Sequence, residues 1–306
     1  MRQSGCIPLL VQLVHSDPDA NTKQKAALAL YNVIRANPDD KSGRREAKVF
    51  KLLQQIRDFC DLLRFQMSEK EVNIQDDQDV HPTAVIGVLT KISFDEEHRH
   101  AMCDLGALRA IADMITLDHA AHGNITQNIN CITIRRYAGM ALTNLTFGDG
   151  KNKSLLCSFK DFLMALVAQL YSENDELMQA SASVLRNMSW RADASSKQIL
   201  RDVGAVLGLT HAAMKGKKET TLKSILSALW NLSAHCSLNK VDICSVNGAL
   251  EFLVEMLKYK APSKTLAIVE NAGGILRNVS SHIALREDYR EILRQHNCLT
   301  ILLQQL

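Results

Sequence analysis

Asparagine recurs at equivalent positions in short, similar segments of this chain, which we call the kernels. A kernel reads leucine, a variable residue, asparagine in all copies but one, and an aliphatic residue. The copies span residues 30–34, 89–93, 142–146, 185–189, 229–233 and 276–280. The kernel asparagines are Asn32, Asn144, Asn187, Asn231 and Asn278, whereas the second copy has Lys91. A carboxamide both donates and accepts hydrogen bonds. One such side chain can therefore bind the N–H and the C=O of an extended peptide.

The leucine and the aliphatic residue of a kernel are three residues apart, so on a helix they share one buried face. The asparagine should lie beside that face, along a polar and partly aromatic line. Because stacked helices lie about 8–10 Å apart and an extended peptide advances about 3.3 Å per residue, one asparagine would meet about every third peptide residue. We predict a groove for acidic, extended peptides. Its predicted residues are Arg136, Asn144, Phe147, Lys153, Gln179, Arg186, Asn187, Trp190, Lys223, Trp230, Asn231, Arg277 and Asn278.

Two simpler interpretations of these residues stay open at this point. Each asparagine could instead end its own helix or cap the next one, because asparagine is a mediocre helix former and a good cap. The two tryptophans, Trp190 and Trp230, could be plain core residues.

The spacing of the kernels indicates the elements that carry them. From Asn144 onward the asparagines follow at intervals of 43, 44 and 47 residues, and a period of about 40–47 residues is typical of armadillo or HEAT solenoids. The fullest copy predicts helices at 196–203, 205–215 and 220–234, which is the three-helix armadillo unit. We predict an all-α, right-handed armadillo superhelix, with 1–306 as a single domain of about six repeats and a truncated further one.

Three segments lengthen the period and are predicted to be inserted loops, near 66–81, 118–130 and 259–264. Insertions in solenoids go to loops and leave the stacked core intact. The sequence stops within a segment that resembles the second helix of another repeat. We therefore expect this chain to be part of a longer protein.

The composition argues against several other classes of protein. The chain has 46% hydrophobic residues, 5% aromatic residues and a formal net charge of +3, which suits a helical core and is too mild to indicate nucleic acid. No apolar run is long enough for a transmembrane helix, and no secretory signal is evident. The eight cysteines form no C-x-x-C pair, so we expect buried thiols in a reducing compartment.

We expect no enzymatic activity, cofactor or metal. The sequence has no P-loop, G-x-S-x-G or G-x-G-x-x-G motif. His98 and His100 are two residues apart and would point in different directions on a helix. The basic run at 41–51 is interpreted as a solvated helix face.

Four segments carry a family resemblance, at residues 93–102 (SFDEEHRHAM), 135–149 (RRYAGMALTNLTFGD), 183–193 (SVLRNMSWRAD) and 227–236 (SALWNLSAHC). They closely resemble the armadillo domain of the adenomatous polyposis coli tumour-suppressor proteins, and the resemblance covers nearly the whole chain. The inserts near 68–80 and 118–130 diverge from it, which indicates an invertebrate member or a second paralogue.

The resemblance implies a non-enzymatic docking surface within a scaffold for Wnt signalling, the β-catenin destruction complex, the cytoskeleton and cell adhesion. It implies partner peptides from an Asef-like Rho-family exchange factor, an Amer-like membrane-recruitment protein, a kinesin-associated protein and a phosphatase regulatory subunit. In that family β-catenin and Axin bind outside this region. The implied location is the cytoplasm, including the cortex, cell junctions and microtubules through the full-length protein.

Two other classes of function compete with this one. An importin-like cargo adaptor also uses tryptophans and asparagines, but it binds basic peptides and needs acidic groove residues, whereas the flanks here are mostly Lys and Arg. A nucleic-acid-binding helical repeat would need a basic face and a steep salt dependence.

Overall fold

A computed structural model describes residues 6–36, 41–68, 81–123 and 128–304. The described residues form α-helices joined by short connections, with a single 3₁₀ turn at Gln169–Tyr171 and no strand among them. The chain divides into two compact units, Met1–Phe162 and Leu163–Leu306. We describe each unit by itself, and the prediction of a single domain stays a prediction.

The helices of the first unit, the last of which runs past its end, are α1 (Cys6–Ser16), α2 (Ala20–Arg35), α3 (Lys41–Ser68), α4 (Thr83–Ile92), α5 (Glu96–Asp104), α6 (Ala107–His122), α7 (Ile129–Thr146), α8 (Gly150–Cys157) and α9 (Lys160–Ala168). The helices of the second unit are α10 (Asp175–Ser189), α11 (Ala194–Asp202), α12 (Ala205–Lys215), α13 (Glu219–Ser233), α14 (Ser237–Ser245), α15 (Ala249–Met256), α16 (Ala267–Ala284), α17 (Glu287–Gln295) and α18 (Cys298–Leu303).

The three-helix repeat is confirmed in the second unit. Helices α11, α12 and α13 occupy the three predicted stretches to within two residues. Asp193 caps α11 by accepting a hydrogen bond from the backbone N–H of Ser196 at 2.6 Å. Gly204, between α11 and α12, has a φ of 82°, a left-handed conformation that favours glycine. Local sequence therefore sets where each helix ends and the next begins.

The kernels lie on the last helix of each repeat, which we call the kernel helix. In the second unit α10 packs against α13, and α13 packs against α16; in the first unit α4 packs against α7. Val184, Leu185 and Met188 of α10 are each no more than 1% exposed, as predicted. Burying an aliphatic side chain stabilises a fold by about 1.5–3 kcal/mol, so the kernels hold successive repeats together.

The structure corrects two of the predicted inserted loops. Helix α3 runs to Ser68, so the start of the 66–81 segment is helical, and residues 69–80 lie outside the described residues. Helix α6 continues to His122, and Asp118 on it is fully buried. The prediction of a loop at 118–122 is wrong because Arg135 of α7 pairs with Asp118 and makes a polar stretch part of the core. Residues 124–127 lie outside the described residues.

The third predicted loop lies between α15 and α16, where residues 259–266 form no helix. Ser263 in this loop donates from its backbone N–H to Glu219 Oε2 at 3.1 Å, and its hydroxyl also bonds to that carboxylate. The loop is thereby attached to the first residue of α13.

All eight cysteines lie in the described ranges; none of them is in a disulfide bond, and five are buried. Among the described helices, none is by itself long and apolar enough to cross a membrane; one bent pair, Gly150–Cys157 with Lys160–Tyr171, meets the criteria of length and composition together.

Candidate functional site

Asn144, Asn231 and Asn278 each link their own repeat to the one before it. Asn231 donates from Nδ2 to Ser189 Oγ at 3.2 Å and to the backbone oxygen of Arg186 at 3.3 Å. Asn278 repeats the pattern with Ser233 Oγ at 2.9 Å and the backbone oxygen of Trp230 at 3.3 Å. The amide N–H groups of these side chains therefore bind the end of the preceding kernel helix.

A similar link exists in the first unit. Asn144 donates from Nδ2 to Ser93 Oγ at 2.8 Å. Ser93 in turn donates to the backbone oxygen of Thr90 at 2.6 Å. A serine two residues after one kernel position thus accepts from the asparagine of the next repeat and donates within its own helix.

These bonds change what the asparagines can offer a ligand. The prediction of a clamp that both donates and accepts is wrong for Asn231 and Asn278, because their amide N–H groups already bind the protein. Within the described residues, no hydrogen bond reaches Oδ1 of either side chain. The amide oxygen is what these two residues can present to a peptide N–H.

The alternative that the asparagines cap the next helix is also wrong. The kernel asparagines lie in the last turns of α7, α10, α13 and α16, or shortly before, and not at the start of the next helix. Helix α8 is capped by Asp149, which accepts from the N–H of Asn152 at 2.9 Å, and α11 is capped by Asp193.

The kernel asparagines also differ in exposure. Asn187 is only 7% exposed, so this predicted groove residue lies within the packed helices. Asn144, Asn231 and Asn278 are half-buried, and Asn32 on α2 is exposed.

The two tryptophans are surface residues. Trp190 is 55% exposed and Trp230 is 41% exposed, so neither fills the core. Trp190 follows the last residue of α10, and the Arg191 guanidinium lies 5.6 Å from its ring centroid. Trp230 lies on α13 with its ring against the backbone of Gly274 on α16. Both indoles are held by the protein and keep a large exposed area.

Cations accompany these indoles in the second unit. Arg186 is half-buried on α10, and burial lowers the pKa of its guanidinium from the usual value. Lys223 on α13 and Arg277 on α16 are exposed. In the described part of the second unit, none of these three residues forms an ion pair with a carboxylate. A partly desolvated guanidinium without a carboxylate partner is suited to bind an incoming one.

The remaining predicted residues have more local contacts. Gln179 accepts from the hydroxyl of Thr220 at 3.2 Å. Arg136 stacks over the ring of Tyr137, 5.0 Å from its centroid. Phe147 follows the last residue of α7 and is 79% exposed, and Lys153 on α8 is half-buried.

The structure brings only some of the predicted groove residues into contact with one another. Contacts bring Arg186 beside Asn231 and Trp230 beside Asn278. Arg136, Asn144, Phe147 and Lys153 belong to the first unit. Gly274, which allows the Trp230 ring to approach α16, is a part of the site that the prediction from the sequence missed.

Comparisons with known proteins agree with this repeat. A family profile described as the adenomatous polyposis coli repeat matches residues 36–102, and one described as the armadillo/beta-catenin-like repeat matches residues 1–35. The adenomatous polyposis coli protein of Rattus norvegicus is 54% identical over 324 residues, covering 100% of this chain. The chain belongs to the adenomatous polyposis coli family. It is an armadillo domain of that family and spans 11% of the rat protein.

A second member of the family and two solved structures extend the comparison. Adenomatous polyposis coli protein 2 of Homo sapiens is 44% identical over 331 residues, and the chain covers 14% of it. An engineered protein superposes with a TM-score of 0.56 at 18% identity, over 90% of this chain and 96% of that one. The armadillo repeats only protein of Plasmodium falciparum gives 0.50 at 15% identity, over 65% and 80%. These two structures bear on the fold alone.

Proposed function

We propose that the second unit binds extended, acidic segments of partner proteins along its kernel helices. The proposed surface, which we call the kernel strip, consists of Arg186, Trp190, Lys223, Trp230 and Arg277 with the amide oxygens of Asn231 and Asn278. The observation that carries the proposal is the half-buried Arg186 guanidinium, which forms no ion pair with a carboxylate among the described residues, beside two exposed indoles and the exposed cations Lys223 and Arg277. The buried Asn187 is not part of it.

The chemistry of the strip favours an acidic ligand. Asn231 accepts a peptide N–H through Oδ1, while its own N–H groups stay bound to the preceding repeat. Arg186 is already partly desolvated, so less hydration is lost when a carboxylate arrives. A hydrogen bond to a charged group contributes about 1.5–3 kcal/mol. Indoles supply apolar contact area and are enriched where binding energy concentrates.

The strip also argues against basic ligands. Importin-like recognition of a basic peptide needs carboxylates beside the tryptophans, and the charged members of the kernel strip are Arg186, Lys223 and Arg277. Nucleic acid would require phosphate contacts over a broad basic face, whereas the whole chain has a formal net charge of only +3.

The family suggests the context in which the strip acts. We propose that this domain is a protein-interaction scaffold without catalytic function, and that the longer protein acts in the β-catenin destruction complex of Wnt signalling and in organisation of the cytoskeleton and cell adhesion. By resemblance, the candidate partners are an Asef-like exchange factor, an Amer-like recruitment protein, a kinesin-associated protein and a phosphatase regulatory subunit, in the cytoplasm and at its cortex. β-Catenin and Axin would bind elsewhere on the longer protein.

A competition experiment tests the sign of the ligand charge. A fluorescent peptide rich in Glu, Ser and Leu is titrated with the whole chain and followed by anisotropy. Its isosteric control carries Gln at each Glu, and two competitors are a Lys-rich peptide and a generic DNA duplex. The proposal expects the Glu peptide to bind at least about tenfold more tightly than the Gln peptide. Equal affinity for the Gln peptide, or displacement by the Lys-rich peptide or the duplex, would overturn it.

A further inference from the structure

A group of three potential metal ligands lies in the first unit, whereas the kernel strip belongs to the second. Asp118 and His122 are on α6, four residues apart and hence on one helical face, and Cys131 is on the first turn of α7. One ligand atom from each residue lies within 4.8 Å of the other two. Asp118 is fully buried and Cys131 is 1% exposed, while the His122 side chain is 15% exposed.

One oxygen of Asp118 has no hydrogen-bond partner. Oδ2 accepts from Nε of the buried Arg135, but Oδ1 is buried without a partner and lies 3.7 Å from His122 Nε2. A buried carboxylate oxygen left in this state is costly. This oxygen is therefore available to a ligand held between the three side chains.

Arg135 fixes the orientation of that carboxylate. Its guanidinium also donates to the backbone oxygen of Gly123 at 3.1 Å and to the backbone oxygen of Asp118 at 3.1 Å. Metal-binding carboxylates are commonly held by such outer hydrogen bonds. Arg135 thus holds Oδ2 and leaves Oδ1 facing His122.

We propose that Asp118, His122 and Cys131 bind a zinc ion. Zinc accepts sulfur, imidazole nitrogen and carboxylate oxygen in one tetrahedral site, at about 2.0–2.3 Å. Binding releases the thiol proton of Cys131 to solvent, and a water molecule completes the fourth position. The ion would join the end of α6 to the start of α7, across the predicted insert at 118–130. This inference is independent of the proposed function.

The test uses the whole chain, reduced and freed of metal by chelation. Co²⁺ is titrated as the spectroscopic probe, because coordination by a thiolate produces a charge-transfer absorption band and tetrahedral ligation intensifies the visible bands. Zn²⁺ is then added to displace Co²⁺, and the melting temperature is measured with and without Zn²⁺. The test variants are Cys131→Ser and His122→Ala; Cys157→Ser, another buried cysteine of this unit, and His98→Ala are the matched controls.

The wild-type chain should bind one Co²⁺ with a thiolate band that Zn²⁺ abolishes, and Zn²⁺ should raise its melting temperature by more than about 2 °C. Cys131→Ser should lose the thiolate band. Loss of a residue that only hydrogen-bonds to a metal ligand lowers metal affinity by roughly 10–100-fold. Both test variants should lower zinc affinity by more than this, while both controls should match the wild type. A wild type without the band, or test variants that bind zinc like the controls, would overturn the proposal. Circular dichroism of each metal-free variant shows that it is folded.

Discussion

The indole of Trp230 lies directly against the backbone of Gly274. A Cβ atom placed on Gly274 would come within 2.3 Å of Trp230 Cε2 and 2.5 Å of Nε1. Contacts this short do not occur between real side chains, so glycine at this position is what allows the ring to lie on α16. The exposed face of Trp230 is therefore positioned by a residue of the next repeat.

Gly274→Ala should displace the Trp230 ring and destabilise the chain by about 1–3 kcal/mol, because overpacking outweighs the gain in helix propensity. Gly273→Ala is the matched control: its Cβ would lie 3.7 Å from Leu257 Cδ2, an ordinary contact, and it should stabilise the helix by about 0.5–1 kcal/mol. Urea unfolding followed by tryptophan fluorescence measures both effects. Equal behaviour of the two variants would contradict the assigned packing.

Asn231→Ala should lower the free energy of unfolding by about 1–3 kcal/mol, since it removes the bonds to Ser189 and Arg186 in a half-buried position. The control is Asn32→Ala, at the equivalent position of the first kernel, where the side chain is exposed; its effect should stay within about 0.5 kcal/mol. Chemical denaturation compares the two. If both variants unfold at the wild-type midpoint, the asparagines do not link the repeats.

His15 should make stability depend on pH in mildly acidic solution. Burial, followed by the charge of Arg57, lowers the pKa of His15 from 6.5 to about 3. The unfolded chain therefore binds a proton that the folded chain excludes. The stability due to neutral His15 is complete above pH 6.5 and falls by up to about 1.4 kcal/mol per pH unit below it.

Denaturation midpoints between pH 7 and about pH 4 test this dependence. His15→Gln, which keeps a hydrogen-bonding group near Arg57, should flatten the decline, whereas the exposed-site variant His100→Gln should follow the wild type. A decline that is identical in the wild type and His15→Gln would rule out His15 as its source.

The repeat and its helices could be predicted from the sequence because their signals are local. Gly204 marks a helix junction by its backbone conformation, and the apolar residues Leu185 and Met188 mark the buried face. The kernel spacing then assigns each kernel to the last helix of a three-helix unit. None of these inferences requires knowledge of a distant contact.

The groups to which the asparagine side-chain amides donate could not be predicted from such local signals. The partner of Asn231 is Ser189, 42 residues earlier. The signal is a serine or threonine two residues after every kernel position except the first, where Ile34 stands. That pattern is visible only when one repeat is read against the next. The burial of Asp118 could not be predicted for a similar reason, because it depends on Arg135 in the following helix.

The central claim is that the Arg186 guanidinium binds a carboxylate of an extended peptide. Calorimetric titration of the Glu-rich peptide into Arg186→Gln tests it most directly. The control, Arg201→Gln, has the same net charge but removes a guanidinium already paired with Asp242, at 2.6 Å between Nε and Oδ2. We expect Arg186→Gln to weaken binding by at least about tenfold and Arg201→Gln to leave it within about twofold. Equal affinity of the two folded variants would contradict the account.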